Sequence, residues 1–147
     1  MLRVTRLTDY ATVVLTAMAE HLDRVHSASD LADRARLELP TVSKVLKPLA
    51  HAGLVESFRG SNGGYRLARA PEQISLYEVV EAIEGPLGMT ECSGEHSQCE
   101  YEAHCGVQTQ WRYINDVISD TLRGMSLAQM LPEPPSRKAI PLKLARI

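Results

Sequence analysis

The chain has 147 residues, of which 44% are hydrophobic and 23% charged, and its formal net charge is −2. This composition fits a single soluble globular domain and excludes a collagen-like chain, extended disorder and a small disulfide-stapled scaffold. The most apolar early stretch, residues 11–19, is far shorter than the ~18 residues that a membrane span needs. It also lacks the small-residue cleavage site of a signal peptide. We therefore expect a cytoplasmic protein.

Charge is distributed unevenly along the chain. Residues 1–70 contain ten Lys and Arg against seven Asp and Glu, residues 71–131 contain two against ten, and residues 132–147 contain four against one. Such asymmetry favours a polyanionic partner for the basic part, although a solvated surface with a chance bias would look similar. We predict three parts with these boundaries. The composition of the last part is typical of a flexible basic tail, which would add weak non-specific attraction to DNA.

The first two predicted elements are helices. Thr8 followed by an acid predicts a helix start, and the apolar residues behind it recur at helical spacing. Ser27 or Ser29 then caps a short second helix that is expected to end at about Ala35.

A third helix follows a linker of about three residues. Pro40 suits the first helical position, and Gly53 suits the end. Pro48 lies inside this helix and predicts a kink or local loosening without loss of the helix. One side of the helix is apolar, and the other carries small polar and basic residues, namely Thr41, Ser43, Lys44 and Lys47. Two short helices arranged in this way indicate a helix-turn-helix, although an αα-hairpin of an ordinary bundle has the same pattern.

A predicted β-hairpin after the third helix favours DNA binding. Residues 54–59 and 65–68 are strand-like, and residues 60–64 contain three glycines that suit a turn. A phosphate-binding loop is excluded, because no Lys-Ser/Thr pair opens a helix after these glycines. A hairpin in this position is a wing, and Arg59 and Arg66 flank its tip, where arginine can enter a narrow minor groove. The sequence has no motif of a nucleophile and base, a zinc-protease helix or a P-loop, so we do not expect an enzyme.

The second half contains all three cysteines of the chain, Cys92, Cys99 and Cys105, in a polar segment with C-x6-C-x5-C spacing. Clustered thiolates favour an iron–sulfur cluster or zinc, and the lack of a close cysteine pair favours the cluster. A disulfide switch and three unrelated buried cysteines are the alternatives. The fourth ligand stays open among His104, His96, Glu102 and Glu95.

A long helix is predicted after the cysteines. Its apolar residues step by three or four positions and form a narrow seam, which consists of Val107, Trp111, Ile114, Ile118, Leu122 and Met125. The helix either covers the core or forms an antiparallel or crossed contact between two copies. A short capped segment from Ser126 to Leu131 is expected after it.

Several of these motifs together resemble the IscR-type winged-helix regulators. The resemblance covers about residues 1–131 and is carried by Leu7-Thr-Asp-Tyr-Ala11, Gly53-Leu-Val, Arg59-Gly, Gly63-Gly-Tyr65 and the cysteine array before Trp111. It implies a mainly α fold with a small β-hairpin wing and a long C-terminal dimerisation helix. It also implies a homodimeric bacterial repressor that binds double-stranded operator DNA. The opening residues, Cys92-Ser93 and residues 111–115 look most like the branch that regulates SUF-type iron–sulfur assembly genes.

The resemblance also implies site residues. Thr41, Ser43, Lys44 and Lys47 would face the major groove, and Arg59 with Ser61 would belong to the wing at the minor groove. Cys92, Cys99 and Cys105 would bind a cluster, expected as [2Fe–2S] in preference to [4Fe–4S], and His104 is the candidate fourth ligand.

Two positions depart from the family pattern. Gln108 stands where that branch has a histidine, and Ser43 stands where it has an acidic residue. The alternative to a cluster sensor is a winged-helix module, stabilised by zinc or acting as a thiol switch, for protein assembly or DNA binding.

Overall fold

A computed structural model describes residues 3–94 and 99–132. These residues form five α-helices, one two-stranded antiparallel sheet and three short 3-10 turns. In chain order the helices and strands are α1 (Arg6–Ala19), α2 (Ala28–Ala35), α3 (Leu39–His51), β1 (Val55–Phe58), β2 (Gly64–Leu67), α4 (Leu76–Glu84) and α5 (Gln108–Arg123). The 3-10 turns span Pro71–Gln73, Glu102–His104 and Leu127–Met130. No helix in the described part is long and apolar enough to cross a bilayer.

Hydroxyl caps set the starts of the first two helices. The Thr5 side chain accepts a hydrogen bond from the Thr8 N–H at 3.4 Å, so α1 begins at Arg6 and the predicted start at Thr8 is wrong. The reason is that Thr5 has extended backbone angles while Thr8 is already helical. The Ser27 side chain caps α2 by accepting a hydrogen bond from the Asp30 N–H at 3.0 Å. Ser27 is one of the two serines that were predicted as this cap.

The third helix is continuous through Pro48 and ends at His51. Its N-cap is Glu38, so Pro40 occupies the second helical position instead of the predicted first. Pro48 removes one N–H donor, but its carbonyl still accepts from the Ala52 N–H at 2.9 Å. Gly53 follows with φ of 75°, a conformation that suits glycine at a helix end.

The core lies between α1, α2, α3 and the sheet. Each of its fully buried leucines stabilises the fold by about 1.5–3 kcal/mol relative to an exposed position. The largest buried aliphatic side chains are Leu15, Met18, Leu31, Leu46, Leu49, Leu54, Ile74 and Leu127.

An isolated β-bridge joins the wing to the turn before α2. His26 pairs with Tyr65 of β2, since the His26 N–H donates to the Tyr65 carbonyl at 2.8 Å and the Tyr65 N–H donates back at 2.7 Å. Gly64 makes this approach possible, because a Cβ on it would lie 2.2 Å from the His26 carbonyl oxygen. The turn before α2 is therefore fixed to the beginning of β2.

The second half is connected back to this core. Ser75 and Glu78 form a capping box that starts α4, and Gly85 ends this helix. The Leu127 N–H donates to the Ile74 carbonyl at 2.8 Å, and Leu127 is buried in the core. The predicted capped segment after α5 thus anchors the end of that helix beside α4.

Candidate nucleic-acid interface and cysteine-rich segment

One face of α3 is exposed and carries the predicted DNA-contacting residues. Ser43, Lys44 and Lys47 are exposed, and Thr41 is half-buried. Within the described residues neither lysine forms an ion pair. The opposite face is fully buried through Val42, Val45, Leu46 and Leu49. The core therefore fixes the rotation of α3 and directs its basic side outward.

The two arginines that were predicted to flank the wing tip have different surroundings. Arg59 and Ser61 are exposed, and Arg59 has no ion pair in residues 3–94 and 99–132. Arg66 instead pairs with Glu56 at 3.0 Å and lies 5.0 Å from the centre of the Phe58 ring. Arg59 thus carries an exposed charge without an ion pair among the described residues, whereas Arg66 is held against the hairpin.

The start of α2 is held by a polar cluster around a buried histidine. His26 is 1% exposed, and its ring nitrogens lie 3.2 Å from the Asp30 carboxylate and 3.1 Å from the His21 carbonyl. Arg24 also binds Asp30, at 2.7 Å. Desolvation raises the pKa of Asp30, but hydrogen bonds from His26 and Arg24 outweigh it and lower the pKa overall. These contacts hold the start of α2 in place, and the lysines of α3 take no part in them.

The three cysteines differ in their surroundings. Cys92 is buried, and its sulfur lies 3.2 Å from the Thr90 hydroxyl oxygen. Cys99 and Cys105 are half-buried, and none of the three forms a disulfide. Cys105 lies just before α5, next to His104, which is exposed and edge-on to the Tyr101 ring.

Two polar residues of α5 hold the segment that leads into Cys92. The Arg112 Nε–H donates to the Cys92 carbonyl at 3.2 Å, and the Asn115 Oδ1 accepts from the Met89 N–H at 3.1 Å. Sequence reasoning did not assign these roles, because it followed only the apolar seam of the helix. The available signal was the polar repeat at 112, 115 and 119, which also has helical spacing.

The donor chemistry of the cysteines fits a metal group, since three thiols are the soft ligands that iron–sulfur clusters and zinc prefer. Among the residues that the structure describes, no three His, Cys, Asp or Glu side chains are grouped to hold a metal ion. His96 and Glu95 lie outside the described residues, as do residues 133–147 of the predicted tail. The ligand set therefore stays a prediction.

The long helix has its polar residues turned inward and many apolar ones turned outward. Its buried residues are Asn115 and Ser119, whereas the seam residues Val107, Trp111 and Ile114 are exposed. Further along the seam, Ile118, Leu122 and Met125 are half-buried. Tyr113 and Val117 add to the exposed apolar surface, at 58% and 48% exposure. An amphipathic helix with this orientation has an apolar face that no described residue covers.

A helix-turn-helix, a hairpin wing that follows it and exposed basic side chains on both define a winged-helix DNA-binding regulator. The family model described as "Rrf2: Iron-dependent Transcriptional regulator" matches residues 4–133. The chain belongs to this family, and it is a transcriptional regulator and not an enzyme.

Curated relatives include regulators from several bacteria. The chain is 31% identical over 136 residues to protein aau3 of Rhizobium meliloti strain 1021, a match that covers 91% of this chain and 88% of the relative. It is 33% identical over 103 residues to the HTH-type transcriptional regulator IscR of Aliivibrio salmonicida, covering 70% of this chain and 61% of that one. The IscR of Vibrio cholerae is 30% identical over 132 residues, with coverage of 86% and 75%.

Solved structures confirm the winged-helix fold. The structure of T. potens IscR is 27% identical with a TM-score of 0.65, covering 88% of this chain and 85% of that chain. CymR, the global cysteine regulator of B. subtilis, is 24% identical with a TM-score of 0.66, covering 88% and 96%. The second likeness concerns the fold alone.

Proposed function

We propose that this protein is a bacterial cytoplasmic repressor that binds operator DNA as a homodimer and senses an iron–sulfur cluster. In this proposal residues 1–70 read DNA, residues 71–131 hold the cluster and the dimer contact, and residues 132–147 form a basic tail. The regulated genes encode SUF-type cluster assembly, and the signal is cluster, iron or oxidative status.

DNA contact is assigned to α3 and the wing. Ser43, Lys44 and Lys47 face the major groove together with Thr41, because they share the one side of α3 that the core leaves exposed. Arg59 and Ser61 belong to the minor-groove contact at the wing tip. Since Ser43 is short and neutral, we expect it to select a different base from the one that an acidic side chain selects at this position.

The observation that carries the sensing proposal is the contact between Arg112 and the Cys92 backbone, because it connects the cysteine segment to α5. Cys92, Cys99 and Cys105 are the proposed ligands of a [2Fe–2S] cluster, with His104 as the candidate fourth ligand. When bound, the cluster supplies an oxygen-sensitive link between the three cysteine positions. Loss of the cluster would release the three cysteines and change the contacts between the cysteine segment and α5.

The homodimer is assigned to the exposed apolar face of α5. Two copies of this face would cover Val107, Trp111, Ile114 and Val117, which are exposed in the single chain. The dimer sets the separation of two α3 helices, which must match half-sites about one DNA turn apart. A shift of α5 caused by the cysteine segment would alter that separation and therefore the operator affinity.

The first test is an absorption spectrum with iron, sulfide and zinc analysis of protein purified without oxygen. Visible absorption with two irons and two sulfides per chain is the expected result. A colourless protein with one zinc would overturn the cluster sensor in favour of the zinc-stabilised module, and a metal-free protein would favour a thiol switch.

A variant series then tests the link to DNA. Cys99→Ala should lose the visible absorption and the response of operator binding to oxidant, while Thr109→Ala on the exposed side of α5 should keep both. Operator binding by Cys99→Ala that still follows the oxidation state would contradict the mechanism. His104→Ala should shift the visible bands if His104 is the fourth ligand.

A further inference from the structure

Residues 89–93 form a turn that holds Cys92. The Thr90 N–H donates to the Ser93 hydroxyl at 2.8 Å, and the Ser93 hydroxyl and N–H donate to the Thr90 carbonyl at 3.0 and 3.1 Å. Cys92 and Ser93 are both buried. Because three hydrogen bonds close this turn, a displacement of Cys92 is passed to Met89 at its beginning.

Two side chains of α5 hold this turn, and they differ in burial. The Asn115 Oδ1 accepts from the Met89 N–H at 3.1 Å, and Asn115 is 7% exposed. The Arg112 Nε–H donates to the Cys92 carbonyl at 3.2 Å, but Arg112 is exposed. A hydrogen bond that is shielded from water is the stronger one, and removal of its acceptor leaves a buried N–H unpaired. The contact from Asn115 is therefore the firmer of the two.

Asn115 also belongs to the helix that carries the exposed apolar face. Val117 lies two positions after it and Trp111 one turn before it, and both are exposed. The far end of α5 is held at the core, since the Leu127 N–H donates to the Ile74 carbonyl. An α-helix closes its backbone hydrogen bonds within itself and so moves as one unit. A shift of residues 89–93 would therefore tilt or rotate the face that the proposed homodimer uses.

We propose that Asn115 is the positioning residue that transmits a change at Cys92 to α5, through its hydrogen bond with the Met89 N–H. The inference deepens the proposed function and rests on it for the event at the cysteines, which is the gain or loss of a cluster. The contact itself is made to the backbone of the turn, so zinc binding or oxidation at Cys92 would reach α5 by the same route. Asn115 acts through the helix and is not itself a ligand.

The test compares Asn115→Leu, which removes the acceptor oxygen and keeps a similar side-chain shape, with Asn115→Asp, which keeps the oxygen. Ser119→Ala is the matched control, because Ser119 lies one turn further on the same buried face and makes no hydrogen bond to residues 89–93. Each full-length variant is analysed for iron and sulfide and for operator affinity with and without the cluster. The wavelength of maximal emission of Trp111, the only tryptophan in the sequence, reports on α5 independently of DNA.

Asn115→Leu should keep the iron and sulfide content of the wild type, while the ratio of operator affinities with and without the cluster falls at least about fivefold towards one. Its Trp111 emission maximum should no longer shift when the cluster is removed. Asn115→Asp and Ser119→Ala should keep the wild-type ratio and the wild-type shift. Asn115→Ala adds no volume and should repeat the result of Asn115→Leu, which separates the lost hydrogen bond from a steric effect.

A wild-type response in Asn115→Leu would overturn the inference, and so would an equal loss in Ser119→Ala, which would assign the effect to packing of the buried face. Loss of the cluster in Asn115→Leu would overturn it too, by making Asn115 part of the binding site. A wild-type protein without a cluster would contradict the proposed function alone, because the Trp111 shift is then measured on addition of zinc and on oxidation with diamide. If none of these treatments shifts the emission of the wild type, the link to α5 does not exist and the inference fails.

Discussion

The carboxylate of Glu84 accepts a hydrogen bond from the Thr8 hydroxyl at 2.5 Å and another from the Thr5 N–H at 2.7 Å. Glu84 is the last residue of α4, and Thr8 lies in the first turn of α1. The contact therefore connects the winged-helix half of the chain to the half that carries the cysteines. The hydrogen bond from Thr8, followed by that from Thr5, lowers the pKa of Glu84 below its ordinary value.

This lowered pKa predicts an acid-dependent loss of stability. Because the folded-state pKa of Glu84 lies below its unfolded value, its contribution is present above about pH 5 and is lost as pH falls through the folded pKa. Glu84→Gln should lower the free energy of unfolding at pH 7 by about 0.5–1 kcal/mol, a modest amount because Glu84 is exposed. It should also flatten the acid limb of stability. Urea denaturation between about pH 3 and 7 measures both effects.

The matched control for this prediction is Glu72→Gln, which removes an exposed acid near the start of the same half of the chain. This variant should keep the acid limb of the wild type. An unchanged pH profile in Glu84→Gln would mean that the contact between α1 and α4 does not stabilise the fold.

A second prediction concerns the contact between Gly64 and His26. In Gly64→Ala the added Cβ would lie 2.2 Å from the His26 carbonyl oxygen, so the wing must separate from the turn before α2. We expect a loss of about 2–4 kcal/mol in the free energy of unfolding, measured in urea. Gly106→Ala is the control, since a Cβ there meets no atom within 4 Å. Equal stability of the two variants would contradict the prediction.

Much of the first half could be predicted from the sequence, because caps and apolar periodicity act locally. The buried side of α3 and the cap at Ser27 are examples. The N-cap of α1 at Thr5 could not be distinguished locally from a cap at Thr8, since both are hydroxyl residues before helical sequence. The bridge between His26 and Tyr65 was also missed, because a single bridge leaves no alternating pattern in the segment around His26.

The second half was harder to predict, because polar side chains of α5 hold the neighbouring segment by hydrogen bonds. The apolar seam of α5 was predicted, and whether it covers the core or contacts a second copy was left open; in the structure Asn115 and Ser119 occupy the buried face of the helix. Which face of α5 is buried depends on how the chain continues after the helix, and here the Leu127 N–H pairs with the Ile74 carbonyl. No pattern in the sequence indicates which residue is the fourth ligand beside the cysteines.

A third prediction separates the basic residues of the DNA interface by the salt dependence of operator binding. Lys47→Ala and Arg59→Ala should each lower the slope of log affinity against log salt by about one, because each removes one phosphate contact. Arg66→Ala on the same wing should change the slope less, since Arg66 is held by Glu56 and the Phe58 ring. Fluorescence anisotropy at several salt concentrations provides the measurement. A larger effect of Arg66 than of Arg59 would reverse the assignment of the wing.

A fourth prediction tests the exposed apolar face of α5. Val117→Glu places a charge in the middle of this face, and burying that charge in a dimer would cost far more than it costs in a monomer. The variant should sediment as a monomer, keep its helical circular dichroism, and bind a two-half-site operator at least about tenfold more weakly, since only one α3 can bind at a time. Thr109→Glu places the same charge at an exposed polar position of the same helix and should leave the dimer intact. If Val117→Glu remains a dimer with full operator affinity, the two chains must associate through another surface, and the proposed coupling of the cysteine segment to operator spacing through α5 fails with it.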